Sequence, residues 1–300
     1  MSSTDPDGPQ DGPALRWSVE RRLDFIEQAL YWRGTINRAD LVAAFGISPN
    51  QATADLARYQ GLAPGNLAYD HRARHYVAAE PFVPVLGPID PAPLLARLRL
   101  AGEGVTAMPG DDAFFPVPPF DLAGPPGRRI DPAVLRAVLW AIRDRAALAV
   151  TYRSLSREAR EPRVIEPHAL AHDGFRWHAR AWCRASGSFR DFVLGRIGEP
   201  RRCGPAAADP AGDADWHSIC ELVVMPHPRL GPAARAAIEA DYGMQEGRLT
   251  LRVRQALAFY LKRRLGLDIR PEDREPTHQH IVLATDGAAP SVETGADLAD

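Results

Sequence analysis

Between positions 50 and 74 stand side chains with the chemistry to read or grip a nucleic acid. Asn50 and Gln51 carry amides, Thr53 a hydroxyl, and Arg58, Arg72 and Arg74 guanidinium forks. Amides match the edge of adenine, and guanidinium groups match guanine or phosphate. Their spacing depends on the elements around them. Residues 37–45 predict a short amphipathic helix with Leu41, Val42 and Phe45 on one side. Gly46 permits the left-handed turn that ends it, and Ile47 fills the angle that follows. Ser48 is a good N-cap and Pro49 suits a first helical position, so a second helix is expected to run to about Tyr59. Ala52, Leu56 and Tyr59 recur at helical spacing and turn inward, leaving Asn50, Gln51, Thr53, Ala54 and Arg58 outward. Residues 66–69 and 74–77 then alternate like two strands joined by 70–73, a wing with Arg72 and Arg74 at its tip. Segment 36–76 therefore reads as a helix-turn-helix with a wing. The plainer alternative is a small helical pair whose polar face is only solvated.

A chain of 300 residues, 45% of them hydrophobic, can fill two or three cores. Its net charge of −2 requires any nucleic-acid contact to come from a local patch and not from a global field. Lys262 is the lone lysine, but abundant Ala, Pro and Gly suggest a GC-rich genome that favours arginine codons whatever the function. Cys183, Cys203 and Cys220 are widely spaced, which argues against a disulfide framework or a structural zinc. No leader pattern and no apolar run near the ~20 residues of a membrane span are found, so a soluble cytoplasmic protein is expected.

The chain is expected to be a multi-domain α+β protein. Residues 1–14 and 286–300 read as disordered ends, 15–83 as the winged helix-turn-helix, and 84–130 as a connector rich in Pro and Gly with one helical patch at 91–100. A leading helix over 16–32 carries Val19, Leu23, Ile26 and Leu30 at helical spacing. Trp17, Trp32 and Trp140 sit on helices and read as packing residues. From 131 to 204 the pattern predicts a helix opened by Asp131-Pro132, with Leu135, Val138, Leu139 and Ile142 inward. Strands at 147–154, 163–171, 175–184 and 188–197 follow, suggesting a small Sm-like or SH3-like β-barrel. Residues 215–285 alternate strand, helix, strand, helix, strand, a compact α+β unit.

Within the barrel, alternation puts Phe175, Trp177, Ala179, Ala181 and Cys183 on one face and Arg176, His178, Arg180 and Arg184 on the other, with Trp182. Arg190 and Arg196 share a face of the next strand, Tyr152 and Ser154 share one of the first, and His168 follows Pro167. Together they suggest a cup of guanidinium, imidazole and hydroxyl donors for a phosphate-bearing ligand. The plainer alternative, since exposed strands often carry arginine, is the solvated polar face of a half-exposed sheet.

Tyr152-Arg153-Ser154, Ile165-Glu166-Pro167-His168-Ala169-Leu170, the run from Gly174 to Trp182 and the run from Phe189 to Ile197 resemble the WYL domain. The namesake Trp-Tyr-Leu triplet stands here as Trp177-His178-Ala179. With the winged helix in front and the α+β unit behind, nearly the whole chain resembles the WYL transcriptional regulators of phage-defence operons such as BREX and CBASS. That resemblance implies a homodimeric repressor with a WYL sensor and a C-terminal dimerisation extension. It places the ligand pocket at Tyr152, Ser154, His168, Arg176, His178, Arg180, Arg190 and Arg196. The implied partners are double-stranded DNA with an inverted-repeat operator, a second copy of the chain, and a nucleotide or nucleic-acid ligand.

No Walker loop, GxSxG elbow or HExxH helix is found, so no enzyme and no cofactor are expected. His278-Gln279-His280 is too small a set for a metal, His71 and His75 read as surface or phosphate contacts, and Asp111-Asp112 has no visible partner. A second function class stays open: an accessory protein binding single-stranded nucleic acid, with arginines along the backbone and Trp182 stacking a base.

Overall fold

In a computed structural model of the chain, the structure describes residues 13–106, 117–124, 126–155 and 161–284. Asp111-Asp112 and the ends expected to be disordered lie outside them, except that residues 13 and 14 begin the first helix. Two compact units divide the chain, Met1–Gly124 and Pro125–Asp300.

In the first unit, helix α1 (Pro13–Arg33) buries Leu23, Ile26, Ala29 and Leu30 along one stripe. Strand β1 (Thr35–Ile36) leads into α2 (Arg38–Phe45), which starts on a reciprocal cap. The Asn37 side chain accepts from the Asp40 N–H at 3.1 Å, and the Asp40 carboxylate accepts from the Asn37 N–H at 2.7 Å. Gly46, at φ 63°, ends it in the left-handed conformation. Helix α3 (Pro49–Leu62) is capped by Ser48 and buries Ala52, Leu56 and Tyr59 against α1 and α2. It outlasts the expected end near Tyr59 because its last turn is exposed and carries no inward apolar signal. Strands β2 (Leu67–Asp70) and β3 (His75–Ala78) form the wing, with β3 central in the order β1-β3-β2. Each fully buried Leu or Ile here contributes about 1.5–3 kcal/mol.

A buried polar cluster ties the following segment to this core. Glu27 accepts from the Tyr59 hydroxyl at 3.0 Å and from the N–H groups of Val85 and Leu86 at 2.8 and 3.0 Å. Asn66 donates to the Tyr59 hydroxyl and to the Val83 carbonyl. Helix α4 (Ala92–Gly102) packs Leu98 with Trp32, Leu94, Val117 and Phe120.

The second unit opens with α5 (Pro132–Asp144), capped by Asp131. Val134, Val138 and Ala141 face the core with Leu135 and Ile142 half-buried beside them; Leu139, expected inward, and Trp140, expected to pack, are 46% and 53% exposed. Two apolar stripes compete at helical spacing, and the sheet buries the one through Val134, leaving Trp140 between the guanidinium groups of Arg136 and Arg143.

Strands β4 (Ala146–Tyr152), β5 (Glu161–His172), β6 (Trp177–Cys183), β7 (Ser188–Val193) and β8 (Ile197–Pro205) form an antiparallel sheet in the order β7-β6-β5-β4-β8. Among the described residues no ladder joins β7 to β8, so the pairing alone does not close the sheet into the expected Sm-like or SH3-like barrel. The strand expected over 188–197 breaks after Val193 into the 3₁₀ turn Leu194–Arg196, and β8 begins at Ile197. Gly198, Pro200 and Gly204 kept β8 from reading as a strand, and its register with β4 shifts twice, as suits an edge.

Short helix α6 (Ala214–His217) leads to β9 (Ile219–Pro226), α7 (Pro232–Asp241), β10 (Leu249–Arg254), α8 (Gln255–Arg264) and β11 (Ile281–Leu283). Their sheet runs β10-β9-β11 over a core of Val224, Met244, Leu267 and Ile281. The whole is a mixed α/β protein. Among the described residues no helix is long and apolar enough to cross a membrane.

Candidate nucleic-acid interface and ligand cavity

Ser48, Asn50, Gln51, Thr53 and Arg58 all lie exposed on or before α3. Ser48 is occupied as a cap, its hydroxyl accepting from the Gln51 N–H at 3.2 Å. The Thr53 hydroxyl donates to the Pro49 carbonyl at 3.0 Å, which leaves its lone pairs outward. Gln51 donates its side-chain amide to Asp55 at 3.0 Å. In the wing, Arg72 and Arg74 are exposed, and Arg74 takes φ 57°, uncommon for a residue with a Cβ. Asp70 shapes this loop by accepting from the N–H groups of Ala73 and Arg72, and those bonds hold its carboxyl below the usual range.

The expected cup is distributed differently. Tyr152 lies in the core, its ring edge-on to Phe192 and its hydroxyl accepting from the Val193 N–H at 3.2 Å. His178 and Arg180 are 1% and 3% exposed and lie beneath the surface. Arg180 makes a fork of two 2.8 Å bonds to Asp213 and reaches Asp191 at 3.3 Å. Asp191 accepts from the Tyr260 hydroxyl at 3.1 Å, and His168 meets Asp213 at 2.9 Å. His178 and Arg176 both bond Asp173, each at 2.9 Å. These arginines and histidines are thus matched inside the protein by Asp173, Asp191 and Asp213. None of the three was foreseen as a partner, because Asp213 stands 33 positions from Arg180 and Asp173 reads as a turn residue.

Titration follows from this network. Burial opposes ionisation of Asp173, yet the bonds from His178, the Phe175 and Arg176 N–H groups and the Arg176 side chain hold its carboxyl far below the usual range. Burial likewise opposes ionisation of Asp213, which Arg180 and His168 overcome in the same direction. For His178 and His168 burial prevails over the carboxylate partner, so both are held below the ordinary imidazole value.

Above this layer lies a cavity of about 540 Å³ lined by Arg128, Leu155, Asp173, Phe175, Arg176, Arg196, Phe259, Tyr260, Arg263 and Arg264. A neighbouring cavity of about 290 Å³ shares Arg128, Arg176 and Arg196 and adds Arg129 and Trp177. Of the pocket residues expected from the sequence, Arg176 and Arg196 line both cavities; Ser154 and Arg190 line neither. Among the described residues, Arg128, Arg196, Arg263 and Arg264 take part in no ion pair. The Arg264 guanidinium lies over the Phe175 ring at 5.7 Å and passes so near Gly174 that a Cβ there would clash with it. Guanidinium forks beside Phe175, Phe259 and Tyr260 suit a ligand with both an anionic group and a flat ring. Sequence reading missed Arg263 and Arg264 because a basic last helical turn is ordinary: it complements the helix dipole. His278 and His280 join no candidate metal cluster among the described residues.

Three family models match in chain order: the BrxR transcriptional regulator winged helix-turn-helix domain over residues 18–99, the WYL domain over 133–202, and the BrxR transcriptional regulator C-terminal dimerization domain over 219–288. Modules in this order define a winged-helix regulator with a WYL module as the class. The chain is 40% identical over 271 residues to the DNA-binding transcriptional repressor CapW of Stenotrophomonas maltophilia, covering 90% of each chain. It is 38% identical to the proteins of that name from Escherichia coli (strain KTE188) and Pseudomonas aeruginosa, covering 89% of each chain in both cases. The chain belongs to the CapW family of DNA-binding transcriptional repressors.

Proposed function

We propose that the protein is a homodimeric, sequence-specific repressor of a phage-defence operon and of its own gene, relieved by a ligand at the basic cavity. The observation that carries the DNA-binding reading is the exposed edge of α3, where Asn50, Gln51, Thr53 and Arg58 share a capped helix, with Arg72 and Arg74 at the tip of the adjoining wing. Such a helix enters the major groove, where amides read base edges, while arginines grip phosphate and give affinity that falls with salt. Segment 15–83 is assigned to this task, 131–204 to sensing and 215–285 to dimerisation. A symmetric dimer reads an inverted repeat, because the operator must mirror the protein's two-fold axis. The anionic ligand is a nucleotide or short nucleic acid, matched by Arg128, Arg176, Arg196, Arg263 and Arg264.

A gel-shift assay with duplex DNA from upstream of the gene tests this reading. The full-length protein should retard that duplex and leave a single strand of the same sequence free. Asn50→Ala should weaken binding to the operator by about 1–3 kcal/mol at one base pair. Arg72→Ala should weaken all duplexes alike and flatten the salt dependence. A preference for the single strand, or full operator affinity after Asn50 and Gln51 are both truncated, overturns it.

A further inference from the structure

We infer that Arg22 and Asp55 are positioning residues for operator reading: a buried ion pair that fixes the Gln51 amide so that it selects adenine. This deepens the reading of α3 as the base-reading helix and rests on it. Asp55 is 2% exposed, although it stands on the helix whose other face is offered to DNA. Arg22 reaches it from α1, donating from Nε to Oδ2 at 2.6 Å and from Nη2 to Oδ1 at 3.3 Å. The same Oδ1 accepts the Gln51 Nε2 at 3.0 Å, one helical turn earlier.

The chemistry of that contact settles which way the amide points. An ionised carboxylate only accepts, so Gln51 must turn its nitrogen toward Asp55. What remains for a partner outside is the Oε1 acceptor beside the second N–H. An acceptor next to a donor is the pattern that pairs with adenine N6 and N7, whereas guanine offers two acceptors there. The Gln51 backbone is fixed as well, since its N–H donates to the Ser48 cap. An exposed glutamine free to rotate would present either order of groups and lose rotamer entropy on binding. Anchored at both ends, Gln51 meets the groove already oriented. Arg22 matters because its two-pronged contact holds the Asp55 carboxylate in the place where Oδ1 meets the amide.

Selection from a pool of randomised duplexes with the full-length protein tests this. The wild type should enrich adenine at one position of each half-site, by roughly 5- to 150-fold over the other bases. Gln51→Ala should lose that preference and keep the others. The double variant Arg22→Met, Asp55→Leu replaces the pair by apolar groups of similar size, a change a core commonly tolerates. It should lose the same single preference as Gln51→Ala, with an unchanged melting curve and an unchanged salt slope. If Gln51→Ala loses the preference and the double variant keeps it, the positioning role is overturned while the recognition helix stands. If Gln51→Ala selects as the wild type does, the inference is overturned, while the recognition helix falls only if Asn50→Ala is silent as well. Side-chain amide NMR of the unmutated protein gives a reading independent of folding. Gln51 should show a rigid Nε2 beside a mobile Gln60 on the same helix, and equal mobility of the two overturns the inference.

Discussion

Arg180 and Arg196 look alike in the sequence, both arginines in strand-like alternation, and the structure makes them opposites. Arg180 is held at 3% exposure by Asp213 and Asp191, whereas Arg196 lines the open cavity. Removing one partner of a buried ion pair leaves the others uncompensated, so Arg180→Ala should cost on the order of 3–5 kcal/mol of stability. Arg196→Ala should leave the urea midpoint nearly unchanged and reduce retention of phosphorylated ligands in calorimetry. Equal midpoints for the two variants would refute this contrast. Alternation along β6 revealed which residues share a face, but what covers that face comes from Asp213 and Tyr260, contributed by distant segments. The same network sets a pH response. Asp173 and Asp213 have depressed folded values, so their contribution is fully present above the unfolded carboxylate range and lost as pH falls from there through the lower folded values. His168 and His178 are also depressed below 6.5, so the folded state resists their protonation and stability declines as pH drops below about 6.5. Denaturant midpoints should therefore begin to fall below about pH 6.5 on the histidines and fall further below about pH 4 on the carboxylates. A flat profile down to pH 5 contradicts the histidine assignment.

Elements announced by local chemistry were legible; those defined by a neighbour were not. The Ser48 cap, Pro49 and Gly46 mark the turn between α2 and α3 through interactions a few residues long, and the structure places the elements there. Ser48→Ala removes the acceptor for the Gln51 N–H and should lower the stability of the N-terminal unit by about 1 kcal/mol. It should also loosen the first turn of α3, so operator affinity drops together with the melting temperature. Unchanged melting would mean that the cap contributes nothing to folding. Helix α5 shows the opposite case. Of the expected stripe, Val138 is buried and Leu135 and Ile142 pack half-buried against the core, while Leu139 gives way to Val134 and Ala141, a choice that only the sheet beneath makes. Strand β8 was missed because an edge strand has little burial to impose a period. The cavity suffered most from this limit: Arg128 precedes α5, Arg196 ends a 3₁₀ turn, and Arg263 and Arg264 close α8. No spacing rule joins those positions.

At the scale of the molecule, the cavity is built from two modules at once. The WYL segment supplies Arg176 and Arg196, and the segment matching the dimerization family supplies Phe259, Tyr260, Arg263 and Arg264. A ligand gripping both sides acts, under the proposed function, on the dimerisation module directly, a short physical route from cavity to dimer geometry. Under the proposed function, light scattering should give twice the 32.8 kDa chain mass, and deleting residues beyond Cys220 should abolish operator binding. Linkage then fixes the size of the coupling: whatever factor the ligand takes from operator affinity, operator must take from ligand affinity. A tenfold effect each way corresponds to about 1.4 kcal/mol. Calorimetry with a nucleotide series, with and without operator duplex, should show equal factors. Replacing Arg263 and Arg264 by Ala should abolish both while leaving the dimer mass and the ligand-free operator affinity intact. Should that variant still release DNA on ligand addition, α8 takes no part in relief and the signal must travel through the WYL strands alone.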